Sequence, residues 1–386
     1  MNRRRALGLG LLIVIVLLGG FAAWLARLPG EPPPGPAPDI VLAEEAATLK
    51  SLQPPKRERP VVAIIGLNQA TETTDYLMPY GILRRADIAE VMLVSIHGGP
   101  VRLYPALAVQ SDLGIDEFDA RFPSGADYVV VPAMDPHDDP EVIAWIRKQA
   151  AAGATIIGVC AGATVVAASG LLDGKRAVSH WYYLPGMLER HPQITHVADR
   201  RYVVDGSVAT TTGISASMPM SLTLVEAIAG RNKADAVARS LGVTHWDARH
   251  RSEAFALTRR FATTVMANSA LSVLGKESLS IGLQTGVDEV ALALMADAWS
   301  RTYRSRAVTV SENDLVTTRN GARLIPDRVA SDSEETDATL LLSQKRPAVV
   351  LDDALSQIAA RYGERTAQVV AMQLEYQWEA SRQDRP

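Results

Sequence analysis

The stretch "IGVCAGA" at residues 157–163 holds Cys160, the only cysteine among 386 residues. A thiolate is a strong nucleophile near neutral pH, and a single thiol set among small residues suits covalent attack on an electrophilic carbon. Upstream, "TIIGV" has the β-branched character of a short buried strand, and downstream "CAGATVVAASGLL" reads as an Ala- and Gly-rich helix start. The cysteine therefore falls in a tight strand-to-helix turn of the nucleophile-elbow kind. Ala161, Gly162 and Ala163 let the backbone crowd that turn, and a helix N-terminus beneath the sulfur is expected to lower a thiol pKa that starts at about 8.5. From the residues alone, a small buried side chain filling a βα junction is the alternative. One cysteine excludes an intrachain disulfide.

The elements that must position this thiol alternate strand and helix. "VVAIIGL" (61–67), "EVMLVSI" (90–96), "ADYVVVPA" (126–133) and "ATIIGVC" (154–160) are short apolar runs of the buried-strand type, separated by the helical patterns "TDYLMPYGILRRADI" and "PEVIAWIRKQAAAG". Repeated βα units predict a parallel sheet covered by helices on both faces, with chemistry just beyond the carboxyl ends of the strands.

Composition is that of a globular protein: 47% hydrophobic, 21% charged, net charge −4. Lys and Arg (39) are outnumbered by Asp and Glu (43), which excludes a global positive field for nucleic acid. At the start, Arg3, Arg4 and Arg5 precede an uncharged run over residues 6–26, which as a helix would span roughly 30 Å. It reads as a transmembrane anchor (1–28), with the arginines cytoplasmic and the rest of the chain periplasmic at the inner membrane of a Gram-negative cell. A cleaved signal peptide ending near Gly20 and Ala22 is the rival reading. "LPGEPPPGPAPDI" then predicts a stiff linker (29–59), which includes a short helix over 41–52.

"DYVVVPA", "AWIRKQAAAGATIIGVCAGATVVAASGLLDGKRAVSHW" and "DGSVATTTGISASMPMSLTLVEAIAG" together resemble the DJ-1/PfpI family, within the class I glutamine amidotransferase-like fold. They are most similar to the amidase-like domain that precedes AraC-type DNA-binding modules and to isocyanide hydratases. The resemblance covers residues 60–250 and implies a flavodoxin-like α/β sandwich with Cys160 as the elbow nucleophile. It also implies two partners, His180 in "AVSHW" and Asp75 four residues before Pro79. Both residue types can move protons at a thiol site. An oxyanion hole would use the elbow amide of Ala161 and those of Ala133 and Met134, where many family members carry Gly-Gly. No organic cofactor or metal is implied. The cluster "DPHDDP" (135–140) reads as a solvated acidic loop, and "NKADAVARSLGVTHW", despite its helix-turn-helix rhythm, as the terminal helix of the domain, so no nucleic-acid partner is expected.

The remaining residues, 251–386, contain a weak internal repeat. "TDYLMPYGILRRADIAEVMLVS" resembles "VDEVALALMADAWSRTYRSRAVTVS", aligning Asp75 with Asp288, and "KADAVARSLGVTHW" resembles "TAQVVAMQLEYQW", aligning Leu241 with Leu374. This predicts a smaller, degenerate second copy without a nucleophile, packed on the first as an intrachain pseudo-dimer, with a homodimer as the other arrangement. Residues 329–347 read as an exposed loop. Two functions stay open: a hydrolase or hydratase acting on a small electrophilic or amide-like metabolite, and a non-catalytic redox or ligand sensor of the same fold.

Overall fold

The computed structural model describes residues 16–378, except 18, 33–34, 274, 330–335 and 343–344. Its centre is a seven-stranded sheet in the order Tyr202–Asp205, Val208–Thr211, Thr155–Gly158, Tyr128–Val131, Val61–Gly66, Glu90–Ser95, Leu113–Gly114. Every pairing is parallel except that between the first two strands. Val61–Gly66 is buried along its whole length, as a central strand covered on both faces must be. Its alternate side chains enter two different cores. Val62 and Ile64 meet the helices Thr73–Ala86 and Ser217–Ala229, while Val61, Ala63 and Ile65 face Val142, Trp145 and Ile146 of the helix Pro140–Ala151. The α/β reading and the strands and helices expected over 61–160 are those observed.

The second half builds a four-stranded parallel sheet in the order Arg328–Val329, Ser305–Ser311, Glu277–Gly282, Ala338–Leu340. That is the order in which Leu113–Gly114, Glu90–Ser95, Val61–Gly66 and Tyr128–Val131 stand in the larger sheet. There the smaller sheet stops: among the described residues it has no counterpart of the elbow strand. The helix pair Pro347–Tyr362 and Glu364–Gln373 then follows, sharing Gly363 (φ +91°) as its junction, just as Ser217–Ala229 and Arg231–Leu241 share Gly230 (φ +82°). Within 329–347, expected to be loop throughout, Ala338–Leu340 pairs with Glu277–Gly282 as a strand. One apolar core runs through both halves, from Leu77 and Leu83 to Val290, Leu294 and Val370.

The expected membrane anchor is corrected. Residues 1–15 and 18, which include most of the apolar run 6–26, lie outside the described residues, and among the described residues no helix is long and apolar enough to cross a membrane. The helical residues 19–27 end against the folded body, where Arg259 Nε donates to the Leu25 carbonyl at 3.1 Å. The proline-rich segment does not stand off as a spacer either. Arg259 N donates to the Pro29 carbonyl at 3.0 Å, and Arg260 pairs with Glu31 at 2.9 Å. An inner-membrane protein with a periplasmic domain is therefore not what the structure describes.

Candidate active site

The elbow is built by a strand that ends at Gly158 and a helix that begins at Gly162, with Cys160 at the corner in left-handed backbone, φ +57°. For a residue with a Cβ that conformation costs about 1–2 kcal/mol and persists only where the surroundings impose it. Here Cys160 N donates to Thr211 Oγ1 at 3.0 Å, and Ser179 Oγ donates to the Cys160 carbonyl at 3.2 Å. Gly162 is a steric requirement, because a Cβ there would lie 2.0 Å from the carbonyl oxygen of Val131. The small residues of "CAGA" thus let the turn press against the neighbouring strand.

Beside the thiol lies an acidic cluster. The helix Thr73–Ala86 is capped by Glu72, whose carboxylate accepts from Asp75 N at 2.6 Å and from Thr74 Oγ1 at 2.9 Å. Asp75 Oδ2 accepts from Ala133 N at 3.1 Å, while its Oδ1 is buried with no hydrogen-bond partner. A third buried carboxyl, Asp297, comes from the helix Glu289–Ser300 of the second half. Arg301 binds Asp297 through Nε at 2.6 Å and Glu72 through Nη2 at 2.8 Å. Three buried carboxyls around one guanidinium cannot all be ionised cheaply. Burial and then the nearby Asp75 push Glu72 up to about 7, despite its pairing with Arg301. Burial likewise pushes Asp75 up to about 7, opposed by the Ala133 amide and Arg301, and Asp297 is also raised by burial. The ion pairs and the raised values are compatible, since one guanidinium neutralises one carboxylate and the rest of the set holds protons.

Burial, followed by Asp75 and Glu72, pushes the Cys160 thiol well above its ordinary range, and the Ala161 amide donating toward the sulfur only partly offsets this. The expectation of a depressed thiol pKa is thus reversed. The helix beneath the sulfur has seven residues, and its dipole is outweighed by desolvation and two carboxyls.

His180 is buried near the elbow, but no hydrogen bond joins it to the sulfur; its ring is engaged elsewhere. Nδ1 accepts from Tyr182 N at 3.2 Å, which places the proton on Nε2, and Nε2 donates to the Gln373 carbonyl at 2.9 Å. Burial lowers its pKa and keeps the ring neutral. The three expected oxyanion amides also divide. Ala161 faces the sulfur, the Ala133 amide is held by Asp75, and Met134 bridges Thr71 at the wall of the cleft. In the acidic loop, Asp139 caps the helix Pro140–Ala151 through its bonds to Glu141 N and Val142 N, and among the described residues no group of side chains could hold a metal ion.

A cleft of about 930 Å³ opens over the elbow. Cys160, Glu72 and Arg301 lie in its wall, and Trp181, Tyr183, Phe261 and Tyr303 give it an aromatic side. The residues that sequence reasoning missed are mostly contributed from a distance: Arg301, Asp297 and Gln373 belong to the second half. Glu375, at φ +52°, accepts from Gly213 N and from His250 Nε2, fixing the turn that receives His180. Glu72 had a local signal, an acidic residue immediately before a helix start and three positions ahead of Asp75.

Residues 61–227 match the DJ-1/PfpI family. The chain is 32% identical over 142 residues to the HTH-type transcriptional regulator CdhR of Pseudomonas aeruginosa, covering 36% of this chain and 41% of that protein. It is 39% identical over 117 residues to the isonitrile hydratase of Pseudomonas putida, covering 30% and 47%. It thus spans less than half the length of either relative. The crystal structure of Drosophila melanogaster DJ-1beta, at 24% identity, superposes with a TM-score of 0.44 over 48% of this chain and 100% of that one.

Proposed function

We propose that the DJ-1/PfpI-type domain is a cofactor-independent thiol enzyme of the hydratase or hydrolase kind, in which Cys160 attacks a small carbon electrophile such as an isocyanide, aldehyde or amide-like compound. The observation that carries this reading is the unpartnered Oδ1 of Asp75, buried beside a thiol held at a strained elbow. A raised thiol pKa means that the sulfur reacts from the neutral form and must lose its proton as the C–S bond forms. A carboxyl titrating at about 7 is well matched to take that proton and return it to the substrate. With an isocyanide, water then adds to the thioimidate carbon, the C–S bond breaks, and the thiol and a formamide are released. With an amide-like compound the amine leaves on the returned proton before water cleaves the thioester. An aldehyde's thiohemiacetal expels the thiol as the carbonyl re-forms and takes up water. His180, with both ring nitrogens engaged, serves in this reading to hold the loop beside the sulfur, and Ala161 supplies the amide nearest the reacting atom.

The second reading is a redox or ligand sensor. It is favoured by one observation, the engagement of the Ala133 amide, which removes a donor from the expected oxyanion site.

The test is turnover of an isocyanide and an aldehyde panel by wild type, Cys160→Ser and Asp75→Asn. Turnover lost in both variants supports the enzyme. No turnover by wild type, together with oxidation or ligand capture at Cys160 seen by intact mass, supports the sensor.

A further inference from the structure

The helices Thr73–Ala86 and Glu289–Ser300 pack so closely that a Cβ on Gly81 would lie 2.5 Å from Glu289 Oε1. Each is capped by an acid, Glu72 or Asp288, and each ends beside an arginine, Arg85 or Arg301. The pairing is reciprocal: Arg85 binds Asp288, and Arg301 binds Glu72. Both acids and both arginines stand 216 positions apart (72 to 288, 85 to 301), as do the strand starts Val61 and Glu277. The strands Ala108–Gln110 and Arg323–Leu324, again about 216 apart, pair antiparallel with each other across the same axis. Two equivalent units therefore meet about an approximate two-fold axis within one chain, through a self-complementary contact. Only one end of this arrangement has a thiol beside it.

We infer that Arg301 is a positioning residue of the Cys160 site, delivered by a truncated second copy from the place a partner subunit's arginine would take, so that the site is incomplete without residues 277–374. Arg301 reaches Glu72 directly and Asp75 through it, since Glu72 accepts from the Asp75 amide. The charged and titratable groups around this pair are Asp297 and Arg301 from the facing helix, Cys160 from the elbow, Tyr104 beneath the guanidinium, Tyr183 and Tyr303 in the cleft wall, and His180 and Glu375 on the far side of the sulfur. Arg301 is the one permanent cation among them. It decides how many protons the acids beside the thiol retain.

The inference rests on the reading of Cys160 as the reactive group, and its test separates the two. In the full chain, the rate of Cys160 alkylation by iodoacetamide is followed against pH by intact mass for wild type, Arg301→Gln, Arg301→Lys and Arg85→Gln. Arg85→Gln breaks the mirrored ion pair and perturbs the same interface away from the thiol. The wild-type profile is expected to bend near pH 7, where the carboxyls ionise. Arg301→Gln should move the bend at least one pH unit to the alkaline side, and Arg301→Lys should restore most of it. Arg85→Gln should leave it within about 0.2 units. An unmoved bend in Arg301→Gln, or an equal shift in Arg85→Gln, overturns the inference. Should wild-type Cys160 react only on unfolding, the thiol reading fails instead, and the same comparison is made on the pH dependence of the urea midpoint. There Arg301→Gln must differ from Arg85→Gln for the inference to stand.

Discussion

The buried carboxyls dictate an unusual dependence of stability on pH. Glu72 has an ordinary pKa of 4.5 and about 7 when folded, a difference of roughly 2.5 units, or about 3 kcal/mol at ~1.4 kcal/mol per unit. The folded state holds its proton more tightly than the unfolded chain between these values, so stability falls as pH rises from about 4.5 to about 7 and is level above. Asp75 and Asp297 shift in the same direction but are coupled to Glu72, so the three do not add. The cluster as a whole is assigned about 3 kcal/mol. His180 and His196, whose pKa values are lowered mainly by burial, act the other way, adding stability as pH rises toward about 6.5. Comparing variants removes that contribution. Urea unfolding of wild type and Glu72→Gln at half-unit steps from pH 4 to 8 is expected to show wild type losing up to about 3 kcal/mol relative to the variant, less whatever Asp75 and Asp297 still contribute there, with m unchanged. Glutamine can keep the bonds to Asp75 N and Thr74 Oγ1 while removing the ionisable group. A difference between the two proteins that stays constant across this range would refute the cluster's assigned protonation.

Two further substitutions probe the geometry. Gly162→Ala places a methyl 2.0 Å from the Val131 carbonyl, so a loss of at least about 3 kcal/mol is expected in urea unfolding; a near-neutral result would mean that the elbow does not press on that strand. Glu375→Ala leaves Gly213 N and His250 without their buried acceptor, and a cost of about 3–5 kcal/mol is expected, with the His180 imidazole resonance displaced in NMR spectra because its acceptor turn loosens.

The α/β architecture was legible because buried parallel strands such as "VVAIIG" and "YVVV" are almost uniformly apolar, and because "VCAGA" permits few conformations other than a crowded turn. The electrostatics of the site were not. A short helix beneath a cysteine suggests a low pKa, but the sign is set by burial and by two carboxyls brought from residues 72–75, nearly ninety positions away. The weak internal similarity sets Asp288 against Asp75, whereas Asp288 caps its helix as Glu72 caps the other, because an acidic cap three residues earlier looks the same in a weak alignment. With that displacement Arg301 has no evident counterpart. In the register the structure adopts, it matches Arg85.

The two ends of the helix pair differ in a way that bears on chemistry. At the same 216-residue spacing, Asp297 stands where the first helix has Gly81, and Ala291 stands where it has Asp75. Around Arg85 the direct carboxylate partner is Asp288, which Arg319 also approaches at 3.3 Å. Around Arg301 there are two direct partners, Glu72 and Asp297, with Asp75 close behind. The second half thus brings one cation and one acid to the thiol end, leaving formal charge unchanged while enlarging the cluster's capacity for protons. A cluster with more carboxyls than cations must retain protons when buried, and in the proposed reaction Asp75 is the member that exchanges one with the thiol. Asp297→Asn separates this effect from Arg301 itself: it keeps the guanidinium but removes the acid whose charge raises Asp75, and is expected to lower the pH at which Asp75 ionises. An alkylation profile that instead shifts to higher pH would show that Asp297 acts only by orienting Arg301.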